Sequence, residues 1–364
     1  MKRIPRIAPE IIALFDERGA NLIDVPVLQP ADPFLDMAGE DLRRRIFLTE
    51  SETGEALCLR PEFTIPVCMD HISTHHATPR RYAYLGEVFR QRREGQAEFF
   101  QAGIEDLGEP DIAAADARSV ADACAVLVRA LPGRAFTVTL GDQTVFEAVL
   151  AALGLPRGWQ KRLARAFGAP EVLAAALADL QMPANGAAAL IDAGAGDREA
   201  LVAQITDAMV EAGISPNAGR TPEEIAARLS EKAELARVRL SEHAFQALRI
   251  FLAIRVPLDR APHALAAFAS GARIALDGAL ENFTRRVEAI EAHGLDPAAI
   301  TYDAAFGRPL DYYTGLVFEM AEPGNARPLV GGGRYDRLLT LLGAPKPIPA
   351  VGFSVWLDRI EALR

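Results

Sequence analysis

The stretch F-R-Q-R-R-E-G-Q-A-E-F-F-Q-A-G-I-E-D-L-G, residues 89–108, decides the fold. Residues 82–90 and 99–107 read as two strands joined by a polar loop. Residues two and four apart on a strand share a face, so Gln101, Gly103 and Glu105 are expected to line one wall together. Gly103 is expected to let a ligand approach the backbone. Distant segments match this wall in chemistry: L-R-P-E-F-T at 59–64, G-R-P-L-D-Y-Y-T-G-L-V-F-E at 307–319 and G-G-G-R-Y-D at 331–336. Together they describe a polar pocket the size of an amino acid. A zwitterion needs that mix: carboxylates for its ammonium, a guanidinium for its carboxylate and polar groups for its side chain.

Working outward, residues 8–19 predict a helix with Ile11, Ile12, Leu14 and Phe15 on its apolar side and Gly19 as its stop. Residues 22–28 read as a strand that runs into prolines. Residues 47–49 and 56–59 read as a hairpin around Glu52-Thr53-Gly54, followed by a helix over 64–74. Residues 111–131 give a strong helical pattern and 136–140 a β-branched strand. From about 145 to 295 alanine, leucine and helical periodicity dominate, with breakers at 184–197 that suggest a helical hairpin or hinge and two amphipathic helices over 223–254. Strand signals return at 302–306, 314–320 and 329–332, and a helix is expected over 354–363. This order implies an α+β architecture, an antiparallel sheet flanked by helices.

The bulk properties narrow the classes. The 364 residues can form one large domain or two ordinary ones. A formal net charge of −10 argues against general nucleic-acid or anionic-membrane binding. No run of about eighteen apolar residues is present, and no signal-peptide h-region follows the first residues. The three cysteines, Cys58, Cys68 and Cys124, form no C-x-x-C pair, which argues against a disulfide framework or cysteine metal site. The reading is a soluble cytoplasmic protein. His71 and His75 lie one helical turn apart, but no third ligand is evident, so they and His76 are expected at a solvated helix end. Arg43-Arg44-Arg45 and Arg80-Arg81 are expected to be solvated or partner-facing. No P-loop, G-x-S-x-G or dinucleotide fingerprint is present, and the glycines at 331–333 lack strand-then-helix spacing.

The pocket segments resemble histidyl-tRNA synthetase, a class II aminoacyl-tRNA synthetase, over most of the chain. R-P-E-F-T is similar to its R-P-E-G-T, in which the glutamate and threonine, here Glu62 and Thr64, help hold the α-amino group. Gln101 and Glu105 match Q-x-G-x-E, where the glutamine joins the ammonium site and the glutamate faces the imidazole. Arg308, Tyr312 and Tyr313 lie in the counterpart of the histidine-specific L-V-R-G-L-D-Y-Y; there the arginine serves the carboxylate and the second tyrosine the imidazole. Arg334 and Tyr335 are expected to add a further wall. Arg90 and Arg359 match the family's α- and γ-phosphate arginines. Pro26 matches the proline of the first class II motif, which implies a homodimer.

Departures from that family are as informative. Arg92 replaces a glutamate, and the loop 93–98 is short. The third motif reads G-F-S-V-W-L-D-R at 352–359, with Trp356 where a glycine borders the nucleotide. A tryptophan buries about 200 Å² of its own surface and would fill that room. Phe63 and Pro309 also replace glycines. The chain stops at Arg364, so a single synthetase-like core over 1–364 is expected, with a mainly helical insertion at about 150–245 and no anticodon-binding domain.

The resemblance thus extends to shortened family members that regulate ATP phosphoribosyltransferase. It implies a non-catalytic subunit without cofactor or metal that dimerises and binds L-histidine through Glu62, Thr64, Arg90, Gln101, Glu105, Arg308, Tyr312 and Tyr313. Its partner would be the short-form catalytic subunit, in an allosteric hetero-oligomer of histidine biosynthesis. The alternative is a histidine-activating, ATP-dependent ligase.

Overall fold

The computed structural model describes residues 4–37, 40–92, 95–181, 198–212, 221–237, 240–308, 312–325 and 327–364. These fall into two compact units, Met1–Ala148 with Ile250–Arg364, and Val149–Arg249. The strands in chain order are β1 (Asn21–Leu22), β2 (Leu28–Pro30), β3 (Leu48–Glu50), β4 (Ala56–Leu59), β5 (Arg80–Phe89), β6 (Glu98–Leu107), β7 (Thr137–Asp142), β8 (Arg255–Pro257), β9 (Ile300–Asp303), β10 (Leu316–Ala321), β11 (Val330–Arg334) and β12 (Ala350–Trp356).

The first unit is built on a nine-stranded sheet in the order β1-β5-β6-β12-β11-β10-β7-β9-β8. Its central pairings are antiparallel; β1 with β5 and β7 with β9 are parallel. The fold is therefore α+β. The strand β6 is buried from Phe99 onward, because it is paired on both edges and covered on both faces. Helix Ile112–Ala130 packs on β11 and β12 and against helix Asp277–Ala292. Asp111 starts it as an N-cap, accepting from the Ala114 N–H at 3.1 Å. A second, three-stranded sheet runs β2-β4-β3.

A buried ionic network joins these layers. Asp116, fully buried on that long helix, accepts from Arg286 Nε at 2.6 Å and from Arg334 Nε at 2.7 Å. Arg286 also bonds Asp142, and Arg334 bonds Asp336 at 2.7 Å. Each charge is neutralised locally, which is the condition for keeping such groups out of water.

The second unit is helical. It includes Arg157–Ala166, Pro170–Gln181, Arg198–Glu211 and Pro222–Arg237. Trp159 and Leu163 are buried within it. The breaker-rich segment 184–197 lies outside the described residues, whereas the amphipathic pattern over 223–254 corresponds to helices Pro222–Arg237 and Glu242–Leu252.

Three expectations are corrected. Residues 22–28 do not form one strand: β1 joins the large sheet, β2 the small one, and the segment around Pro26 turns between them. The Gln29 Nε2 donates to the Pro26 carbonyl at 2.7 Å, holding that turn. Residues 354–356 are strand, not helix. Val351, Phe353, Val355 and Trp356 suit a pleated surface between β6 and β11, and the helix is only Leu357–Glu361. His71 does not belong to a solvated helix end: it is 2% exposed and its Nδ1 lies 2.9 Å from the Tyr82 hydroxyl.

The Asp116 network gives a direct test. Asp116→Ala would leave the Arg286 and Arg334 guanidiniums buried without this counter-charge. Urea unfolding should show a loss of about 3–5 kcal/mol; a loss under 1 kcal/mol would contradict this account of the network.

Candidate functional site

A cavity of about 110 Å³ opens on the face of β6, β11 and β12. The structure brings all of the expected binding residues to it: Glu62, Thr64, Arg90, Gln101, Glu105, Arg308, Tyr312 and Tyr313 line its wall. Tyr335 and Trp356 line it as well.

The strand register explains the wall. In the β6–β12 pair, Glu105 faces Gly352 and Gln101 faces Trp356. A Cβ at Gly352 would fall 1.8 Å from Glu105 Oε2, so only glycine lets that carboxylate lie flat on the neighbouring strand. Gly331 on β11 does the same for Arg308, whose Nη1 would lie 1.9 Å from an added Cβ.

Glu105 is 1% exposed. Its Oε1 accepts the Thr64 hydroxyl at 2.7 Å, and its Oε2 accepts the Tyr335 hydroxyl. Burial pushes its pKa up to about 8; the two hydroxyl bonds pull down, the nearby Glu62 pushes further up, and burial wins. Glu62 is fixed differently. It lies just before helix Thr64–Thr74 and accepts the Thr64 N–H at 2.7 Å and the Ile65 N–H at 2.9 Å. This satisfies two first-turn amides at the positive end of the helix dipole. Burial nonetheless raises its pKa, against those bonds and the Arg90 charge.

The cationic side is equally ordered. Arg308 Nη1 donates to Glu319 at 2.6 Å, and Arg90 Nε donates to the Pro61 carbonyl at 2.7 Å. Burial lowers Arg90 to about 10, which still leaves it charged at neutral pH. Tyr312 sits 5.0 Å from Tyr313 and 5.8 Å from Tyr335, ring centre to ring centre. Among the described residues, Gln101 Oε1, Arg308 Nε and Trp356 Nε1 are buried with no hydrogen-bond partner.

Several assignments change. Arg334 does not line the cavity; it is committed to Asp116 and Asp336, and alternation along the chain sends Tyr335 to the opposite side. Gly103 makes room for the fold, not for a ligand: an added Cβ would lie 2.0 Å from the Phe353 carbonyl oxygen and 2.4 Å from the Tyr84 hydroxyl. Phe63 stacks on Tyr84 at 4.4 Å, away from the cavity. Arg359 does not line it either; it donates to the Pro328 carbonyl and lies 4.5 Å from the Trp356 ring centre. Arg92 lies 3.8 Å over the Phe99 ring. Pro309 and residues 93–94 of the shortened loop lie outside the described residues.

Leu42, Arg45, Gly331, Gly352, Phe353 and Ser354 also border the cavity. Reading 352–356 as a strand, by its Val and aromatic content, would have found the last three.

The sheet order and its cavity define a protein of class II aminoacyl-tRNA synthetase-like architecture. The histidyl-tRNA synthetase family model matches residues 1–360. A Mesorhizobium japonicum chain described as ATP phosphoribosyltransferase regulatory subunit is 67% identical, covering 100% of this chain and 98% of that one. An Agrobacterium fabrum chain of the same description is 60% identical, over 99% and 97%. Among solved structures, a Bacillus halodurans ATP phosphoribosyltransferase regulatory subunit/histidyl-tRNA synthetase aligns with TM-score 0.67 at 23% identity, covering 98% of this chain and 78% of that one. A histidyl-tRNA synthetase from Nostoc sp. PCC 7120 gives 0.65 at 17%, covering 100% and 73%. The two solved structures speak to fold alone. The chain belongs to the histidyl-tRNA synthetase family and, within it, to the ATP phosphoribosyltransferase regulatory subunits.

The Glu105 shift has a signed consequence. Its folded pKa of about 8 exceeds the ordinary 4.5, so the folded state holds the proton more tightly. Its contribution to stability is full below 4.5, declines as pH rises and levels off above about 8. Glu105→Gln mimics the neutral acid. The variant should therefore melt higher than the unaltered chain at pH 8, with the gap closing toward pH 5. A gap that does not change with pH would contradict the shift.

Proposed function

We propose that this chain is a non-catalytic regulatory subunit that binds L-histidine in the cavity and transmits its presence to a short-form ATP phosphoribosyltransferase catalytic subunit. On this reading it both supports that subunit's activity and makes the complex sensitive to feedback inhibition in histidine biosynthesis. The observation that carries it is the combination on one cavity: Glu105 held by Thr64 and Tyr335, with Trp356 on the same wall where family resemblance puts a nucleotide-bordering glycine. A carboxylate and a phenol can address both imidazole nitrogens, while Glu62 and Gln101 suit the α-ammonium and Arg308 the carboxylate. The second arginine that activation chemistry would call on, Arg359, is turned onto a backbone carbonyl and the Trp356 ring.

The chain would act in the cytoplasm as a homodimer within the hetero-oligomer, its helical second unit an insertion in one synthetase-like core. Among the described residues, no helix is long and apolar enough to cross a membrane. Regulation requires histidine to bind the inhibited arrangement more tightly than the active one. A tenfold preference corresponds to about 1.4 kcal/mol.

The test is inhibition of the assembled two-subunit enzyme by L-histidine. Glu105→Ala and Tyr313→Phe should raise the half-inhibitory concentration, by about tenfold or more for Glu105→Ala, which deletes a buried polar partner. Co-elution with the catalytic subunit should be unchanged. Inhibition identical to the unaltered complex in both variants would overturn the proposal.

A further inference from the structure

Trp356 lines the cavity, is 6% exposed, and its indole N–H has no partner among the described residues. Gln101 stands directly opposite it in the β6–β12 register, is 1% exposed, and its Oε1 is likewise unpartnered. Side chains so placed share a sheet face, with Cβ atoms about 4.5–5.5 Å apart. The first atom can only donate and the second can only accept. A buried donor and a buried acceptor, side by side and both unpaired, form an incomplete arrangement. It is completed by a species that carries an acceptor and a donor on neighbouring atoms. The backbone of a free α-amino acid does so, with its carboxylate next to its ammonium.

The surroundings give the same polarity. Arg308 Nε, also buried and unpartnered, belongs to a guanidinium 6.0 Å from the Trp356 ring centre. Its Nη1 is already committed to Glu319 at 2.6 Å, which leaves the Nε edge for an anion. The Arg359 guanidinium lies 4.5 Å from the same ring centre and bonds the Pro328 carbonyl, so the indole is held in place from outside the cavity.

We infer that the Trp356 indole N–H is a specificity-determining donor to the ligand's α-carboxylate, acting beside Arg308 while Gln101 accepts from the adjacent ammonium. This rests on the cavity being an amino-acid site and deepens that reading. Trp356 then does more than occupy space: it recognises the carboxylate that distinguishes an amino acid from its decarboxylated amine.

The experiment compares L-histidine with histamine by calorimetry, on the full chain and its Trp356→Phe variant. Phenylalanine keeps an aromatic ring for Arg308 and Arg359 but removes the N–H together with the pyrrole part of the indole, so histamine, which lacks the carboxylate, serves as the control for the lost volume. Loss of a charge-assisted bond should weaken L-histidine by about tenfold or more and leave histamine unchanged. Equal weakening of both ligands, or no weakening of L-histidine, would overturn the inference. If the unaltered chain binds neither ligand, the amino-acid reading itself fails and this assignment with it. A second measurement leaves Trp356 untouched. The chain has two tryptophans, so in Trp159→Phe the remaining indole emission is that of Trp356. L-Histidine should shift that emission and histamine should not; emission unmoved by bound L-histidine would contradict the inference.

Discussion

A carboxylate buried against hydroxyls is the constraint on which the site is built. Glu105 is almost wholly out of water, and its oxygens are met by Thr64 and Tyr335. Burying an acid in this way is costly, and the cost appears as a raised pKa. The rest of the wall follows from keeping that group in place. Gly352 clears the neighbouring strand for it, helix Thr64–Thr74 begins at the threonine that donates to it, and Tyr335 reaches it from just past β11. Asp116, on helix Ile112–Ala130 that packs against the same sheet, shows the opposite solution. It is as deeply buried but held by Arg286 and Arg334, and that group serves the fold.

Much of this wall was legible in the sequence because it lies on regular elements. Period-two spacing put Gln101 and Glu105 on one face of a strand, and R-P-E-F-T before a helical run put Glu62 and Thr64 at a helix start. The features that local sequence does not reveal are mostly matters of parity and packing. Arg334 and Tyr335 are neighbours and point to opposite sides, so one could line the cavity and the other could not. The open space beside Gly103 is taken by the Tyr84 hydroxyl and a backbone carbonyl from a distant strand, which no local pattern reveals. Residues 354–356 look helical in sequence because they run into a true helix at Leu357; their strand character depends on partners far away in sequence. His71 carries no local sign of burial, since the residue that covers it, Tyr82, lies on another element.

The same parity explains why Trp356 matters. Placed on β12 opposite Gln101, its ring reaches the cavity, and Arg359, on the helix that follows, bonds the Pro328 carbonyl over that ring. Of the departures from the wider synthetase family, the one at this strand end puts an indole wall in the cavity where the resemblance implies an open glycine. The cavity keeps the polar groups that the proposed amino-acid site needs, while Arg359, the arginine expected at the far phosphate, is engaged elsewhere. This is the physical basis for assigning recognition rather than activation to the site.

The most direct measurement is L-histidine-dependent ATP–pyrophosphate exchange by the purified, folded chain, run alongside L-histidine binding to the same preparation. The account predicts binding without exchange: the amino acid enters its site and is not converted to an adenylate. Robust exchange would contradict it, because adenylate chemistry would then proceed despite the indole at position 356, and the chain would be a histidine-activating ligase.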